Sequence, residues 1–306
     1  MSVVIPAGDV GEHLAEDRGD RQPDPTGGPL SRSNLLATLV TGYLPLIIAT
    51  LIIALPLLWM VIGSLKAPSE VVTQDVVLFP SDPNLDAYRN AAAKIDVAQL
   101  FINSAIVTVI GSVVKVVLAV TTAYALVFVR FPFKRIIFVG ILVALMVPPQ
   151  VALVPNYVLI AGLGGENTYW GIILPGLGTA FGTFLLRQHF LSLPKEIVEA
   201  AEIDGAGHFK RMLRVIVPIS GPTIATVALV TIVNEWNDYI WPLVITSDAS
   251  HMTLPVGLTL LRNTEGDASS YPILMAGAVM VILPVLVVFA ALQRFVVAGL
   301  TQGAVK

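Results

Sequence analysis

Asn234, Glu235, Trp236, Asn237 and Asp238 place two carboxylates and two amides inside a stretch that is otherwise apolar. An ionised side chain at the centre of a lipid bilayer costs about 2.5–3.5 kcal/mol on insertion scales, so such a cluster must face water or protein. On a helix, Glu235 and Asp238 are three apart and share a face, with Asn234 one turn before Asp238. That face offers acceptors to a hydroxyl-rich solute, while Trp236 or Trp241 offers a surface on which a sugar ring can stack. The same residues can equally hold two membrane subunits together or kink the helix, and the sequence leaves both roles open. Lys115, alone in a second apolar stretch, carries the same cost. Glu235 or Asp238 is a candidate partner for it, and snorkelling or a pore-facing position is the alternative.

A second group, from Leu191 to His208, is polar enough to lie outside lipid. Pro194 suits the first turn of a helix, where its missing N–H costs nothing, and Glu196 and Glu199 complement the positive end of the helix dipole. Ile197, Ala200 and Ala201 fall at i, i+3 and i+4 and make one small apolar stripe. Asp204 and Gly205 supply turn chemistry that ends the helix. A helix with alanine on its apolar face can lie shallowly in a groove of another protein; packing on its own chain or on headgroups is the alternative.

Other chemistry is absent from the sequence. There is no G-x-x-x-x-G-K-[ST] phosphate cradle, so ATP is not held here in the P-loop manner. There is no H-E-x-x-H zinc pair and no G-x-S-x-G elbow, and His13, His189, His208 and His251 lack ligand spacing. The lack of cysteine excludes disulfides, thiolate catalysis and Cys-ligated metals.

The elements that must position these groups are set by hydropathy. The chain is 55% hydrophobic and only 13% charged, with a mean hydropathy of +0.80, which requires lipid as solvent. A bilayer crossing needs about 20 mostly apolar residues. Charge-free or nearly charge-free runs place six helices near 39–65, 100–129, 134–160, 169–189, 215–245 and 272–297. Basic residues near span ends stay in the cytoplasm. An N-inside arrangement puts the basic residues of the tail, those from Arg130 to Arg135, those from Arg187 to Arg214, and Arg294 and Lys306 inside. Only Lys66, Arg89, Lys94 and Arg262 then fall outside, so both termini are expected in the cytoplasm. Residues 1–34, acidic and rich in Pro, Gly and Ser, read as a disordered cytoplasmic tail rather than a secretory signal. The six-span body is 35–306, with outer loops at 66–99 and 246–271 and a cytoplasmic segment at 190–214.

Glu199-Ala200-Ala201, Gly205 and Pro218 carry the spacing E-A-A, three residues, G, nine residues, I-x-L-P, with Val215 and Val217 in place of Ile and Leu. Asp204 and Ala206 extend it to the D-G-A variant. In this the chain resembles the permeases of ABC importers, whose EAA loop has that pattern. Further matching pieces are Phe79-Pro80 with Tyr88, Asn103-Ser104, the run Arg130 to Lys134, Pro148-Pro149 with Pro155, Trp236-Asn237-Asp238, and the ending from Gly299 to Lys306. They narrow the resemblance to the sugar-uptake branch, which holds the smaller maltose permease subunit and the glycerol-3-phosphate permease.

The resemblance implies an all-α integral membrane protein of the type I ABC importer permease fold, with six transmembrane helices. It implies a bacterial cytoplasmic-membrane location and a carbohydrate or glycerol-phosphate-like solute. The implied partners are a homologous second permease, two ATPase subunits, an extracytoplasmic solute-binding protein and membrane lipid, with no nucleic acid. The chain itself would bind no cofactor or metal and catalyse nothing, with ATP and Mg bound by the partner ATPases. Glu199, Ala200, Ala201, Asp204 and Gly205 would dock the ATPase, with Pro218 and Pro222 allowing a bend. Asn234, Glu235, Trp236, Asp238 and Lys115 stand as substrate-path candidates, although in the family the transmembrane sugar site lies largely in the larger permease subunit. A stand-alone secondary transporter or channel using the intramembrane charges is the rival reading; it leaves the EAA spacing unexplained. An intramembrane enzyme lacks a nucleophile or metal constellation.

Overall fold

A computed structural model describes residues 39–71, 77–261 and 270–301. The expected tail at 1–34 lies outside them, as do 72–76 and 262–269 of the two expected outer loops. All regular structure among the described residues is helical. The helices of nine residues or more are α1 (Leu44–Ser64), α2 (Asp86–Lys94), α3 (Val97–Phe128), α4 (Lys134–Met146), α5 (Leu153–Gly162), α6 (Ala180–Ser192), α7 (Lys195–Ile203), α8 (Gly221–Asn237) and α9 (Tyr271–Thr301).

The chain divides into two units, Met1–Pro56 and Leu57–Lys306. In the first, the described residues form most of α1, whose Leu46, Ile52 and Ile53 are all exposed. The second holds α2 to α9.

Among the described residues, three helices are long and apolar enough to cross a membrane unaided: Val40–Ser64, Val97–Phe128 and Tyr271–Arg294. The other expected crossings are each a bent pair. Lys134–Met146 and Pro149–Gly162 meet at 92°, Tyr169–Leu177 and Ala180–Ser192 at 46°, and His208–Ile219 and Gly221–Asn237 at 83°. Each pair carries a proline near its break, although Pro56 and Pro284 lie inside the unbroken helices α1 and α9. Pro148 and Pro149 follow α4, Pro175 lies in the short 3-10 turn Leu174–Leu177, and Pro222 occupies the first turn of α8. Proline has no N–H for the preceding turn, and at the first break the residues before Pro148 and Pro149 are extended, whereas Leu174 before Pro175 stays helical.

The second unit is organised around α3, which packs against α6 and α8, while α8 also packs against α9. Asp96 caps α3 by accepting from the Gln99 N–H at 3.0 Å. One core cluster joins Ala119, Ala123 and Tyr124 of α3 to Leu186 and Phe190 of α6, Ile216 and Val227. A second joins Leu100 and Trp236 to Leu254, Leu261, Ile273 and Val281. The third gathers Val107, Ile160, Ile172, Ile173 and Ile245. Val109, Val113 and Val117 of α3 remain exposed, as side chains facing lipid do.

Candidate functional site

A cavity of about 550 Å³ opens where three interruptions of the helices come together: Pro149-Gln150, Pro175-Gly176, and the stretch from Asp238 to Trp241 that follows α8. Irregular backbone at membrane depth is tolerated where it is covered by protein or lines a water-filled space. Helix α3 closes one side with Val107 and Lys115. Lys115 Nζ donates to Glu235 Oε1 in a mostly buried ion pair, with the two side chains 15% and 13% exposed. Gly111, one turn before Lys115, makes the pair possible. A Cβ at that position would lie 2.5 Å from Glu235 Oε2, so a larger residue would push the carboxylate off α3.

The expectation that Glu235 and Asp238 share a helix face does not hold. Helix α8 ends at Asn237, and Asp238 is extended at φ −65°, ψ 123°. Pro242 accounts for this. A continuing helix would need a Pro242 N–H to reach the Asp238 carbonyl, and the proline ring would clash with that same carbonyl. The chain instead restarts as the short helix Ile240–Ile245. Glu235 and Asp238 nevertheless line the same cavity, and Asp238 lies close enough to Glu235 and Lys115 to feel both charges.

Two further expectations are corrected. Trp236 does not face the cavity: it is 6% exposed, donates its Nε1–H to the Val281 carbonyl at 2.9 Å, and meets Phe101 edge-on at 5.4 Å. It ties α8 to α9. Asn234 is exposed and lies outside the cavity lining, because the turn that would have stacked it beneath Asp238 is not formed. Trp241 does line the cavity, with its indole N–H held at 3.1 and 3.2 Å from the Ile172 and Gly171 carbonyls. Gln150, Asn156, Asn237 and Tyr239 line it as well. Only the Pro148-Pro149 pair signalled in the sequence that Gln150 sits at a break.

At the other candidate site, α7 starts after Pro194 and ends in a Schellman motif. The Ala206 N–H reaches the Ala201 carbonyl and the Gly205 N–H the Glu202 carbonyl, both at 3.0 Å, with Gly205 at φ +72°. This is the left-handed conformation that glycine adopts without a Cβ penalty. The expected apolar stripe is rotated. Ala201 is buried and Val198 packs on the first core cluster, while Ile197 and Ala200 face outward with Glu199 and Asp204. Glu202, which the motif leaves unassigned, fixes the rotation by pairing with Arg211, itself 5% exposed. On the outward side Ile203 is 87% and Phe209 72% exposed.

Residues 115–302 match the family described as binding-protein-dependent transport system inner membrane component. The chain belongs to that family. Among curated relatives, it is 34% identical over 268 residues to the sn-glycerol-3-phosphate transport system permease protein UgpE of Brucella suis biovar 1 (strain 1330), covering 85% of this chain and 95% of that protein. It is 33% identical over 254 residues to the arabinooligosaccharides transport system permease protein AraQ of Halalkalibacterium halodurans, covering 82% and 90%. Among solved structures, a bacterial ABC transporter involved in the import of the acidic polysaccharide alginate superimposes with a TM-score of 0.74 at 26% identity, covering 88% of this chain and 99% of that one. As an inner-membrane component, the chain is the permease part of a transport system, not its catalyst.

On the side of this permease opposite α7, Asn103 is fully buried and uses its whole amide. It donates to the Ser250 and Met252 carbonyls, each at 2.9 Å, and accepts from Tyr169 Oη at 2.7 Å and Gln99 Nε2 at 2.9 Å. Ser104 accepts from the Leu254 N–H at 2.7 Å. Asn167 adds a second clamp, accepting from the Ser247 and Asp248 N–H groups at 2.7 and 2.9 Å. Asn103 and Ser104, noticed in the sequence only as matching pieces, thus anchor the segment following the short helix Ile240–Ile245.

Proposed function

We propose that this permease is the membrane-spanning subunit of an ATP-driven, binding-protein-dependent importer of a carbohydrate or glycerol-phosphate-like solute in the bacterial cytoplasmic membrane. It crosses the bilayer six times with both termini inside. Three crossings are unbroken helices and three are bent pairs, and the clustering of Lys and Arg on one side supports the orientation. A homologous second permease completes the path, a binding protein delivers the solute from outside, and two ATPase subunits bind ATP and Mg. The family membership and the relatives' names support this assembly.

The observation that carries the proposal is the outward face of α7. Glu199, Ala200 and Asp204 lie on it beside Ile203, and the chain reverses at Gly205. Exposed apolar side chains grouped with acidic ones at a site predicted to be cytoplasmic fit a protein groove. In this reading Glu199 offers a carboxylate to the ATPase, Ala200 permits close approach, Ala201 holds the helix to its own chain, and Asp204-Gly205 fixes the reversal. Closure of the ATPases around ATP moves α7, and the 83° break before α8 passes that motion to the spans, switching access from one side to the other.

The test uses the complete transporter with Gly205→Val and, separately, Ile203→Asp. Valine at positive φ is strained by about 1–3 kcal/mol, whereas Ile203 contributes little packing within the chain. Both variants should lose ATPase co-purification or transport per ATP hydrolysed, while the permease still inserts. Unchanged assembly and coupling in both would refute the docking assignment.

A further inference from the structure

The importer reading leaves open whether the solute is charged, and the cavity beside the Lys115–Glu235 pair bears on that. Its lining includes Gln150, Asn156 and Asn237, which carry amides, and the aromatic residues Tyr239 and Trp241. These donors and acceptors suit hydroxyl groups, and the aromatic surface suits the apolar face of a sugar ring. Lys115 is the one cation in this lining, and Glu235 already occupies it. Asp238, open to the cavity, is then a carboxylate in excess. An anionic solute entering here would meet no free cation and one uncompensated negative charge, and juxtaposed like charges oppose binding strongly away from bulk water.

We propose that this cavity is a subsite on the translocation path for uncharged, hydroxyl-rich solutes, with Asp238 as the residue that turns anions away. The proposal rests on the importer reading and narrows it to neutral carbohydrates over phosphorylated or acidic ones. It also gives the three interruptions a common purpose. Each brings irregular backbone to the edge of the same space, and irregular backbone at membrane depth marks binding sites in other transport folds.

The absence of cysteine from the chain provides a direct probe. Asn156→Cys, made in the otherwise intact transporter reconstituted in nanodiscs, is alkylated with a maleimide in the presence of arabinotriose, maltotriose or glycerol 3-phosphate at equal concentration. At least one of the uncharged oligosaccharides should slow alkylation, and glycerol 3-phosphate should not. Adding Asp238→Asn should raise the affinity for glycerol 3-phosphate, read from its protection, by at least about tenfold, since one like-charge contact costs more than the roughly 1.4 kcal/mol that tenfold represents. Protection by glycerol 3-phosphate with Asp238 in place would overturn the proposal. So would no response to Asp238→Asn, or no protection by either oligosaccharide. The importer reading fails by a different measurement, the absence of a co-purifying ATPase.

Discussion

Replacing Lys115 by methionine removes the one cation that lines the cavity and leaves Glu235 and Asp238 facing each other. Removing one partner of a buried pair typically costs about 3–5 kcal/mol, because the other charge stays behind unpaired. Here the side chains retain 15% and 13% exposure and border an open cavity, so the lower end, about 3 kcal/mol, applies. The reverse change is milder. In Glu235→Gln, Lys115 keeps Asp238 within range and gains a neutral acceptor, so about 1–2 kcal/mol is expected. The double variant Lys115→Met with Glu235→Gln removes both charges and should come back to within about 1 kcal/mol of the parent, since neutral replacements of buried pairs are often tolerated. The coupling energy is therefore about 4 kcal/mol. Thermal unfolding of the complex in nanodiscs reads the order directly: at about 2 °C per kcal/mol, Lys115→Met falls by about 6 °C, Glu235→Gln by about 3 °C, and the double variant by less than about 2 °C. Equal losses in the two single variants, or a double variant as unstable as their sum, would refute the account of which charge is left stranded.

Two other outcomes follow from the hydrogen-bond networks. Asn103→Asp keeps the shape but turns a donor of two bonds into an acceptor facing the Ser250 and Met252 carbonyls; a loss of about 3 kcal/mol is expected, read as faster hydrogen exchange at 250–254 with 195–205 unchanged. Glu202→Gln should cost about 1–2 kcal/mol, a value held down by the 56% exposure of the glutamate, and should speed exchange in α7 while the complex keeps its melting temperature to within about 3 °C.

Much of the architecture is legible in the sequence because lipid imposes a simple rule: charge must stay out of long apolar runs. The limits of α1, α3 and α9 follow from that rule to within a few residues. The Pro194 start and Gly205 end of α7 follow equally directly, from local chemistry at two positions. Angles are harder. Proline at 148, 149, 175 and 222 lies near the breaks, but Pro56 and Pro284 sit inside α1 and α9 without ending them, and the 92°, 46° and 83° bends depend on what the halves pack against. Asp238 shows a local signal passed over, since Pro242 lies four residues on and forbids the helical bond. The Lys115–Glu235 pair spans 120 residues, and no local pattern could select Glu235 over Asp238. Trp236 shows the opposite trap, an aromatic beside polar neighbours whose own ring is committed to the Val281 carbonyl.

The 83° break before α8 makes that helix a crank. At about 1.5 Å per residue, Glu235 lies about 21 Å along the arm from Gly221. A pivot of about 10° at the break would carry the Glu235 carboxylate through about 4 Å, more than the reach of a hydrogen bond. In the proposed transport cycle the contact with Lys115 would act as the pawl of this crank: small angular play at the break suffices to lift it, whereas sliding α8 along its own axis by a single residue would move the carboxylate only about 1.5 Å.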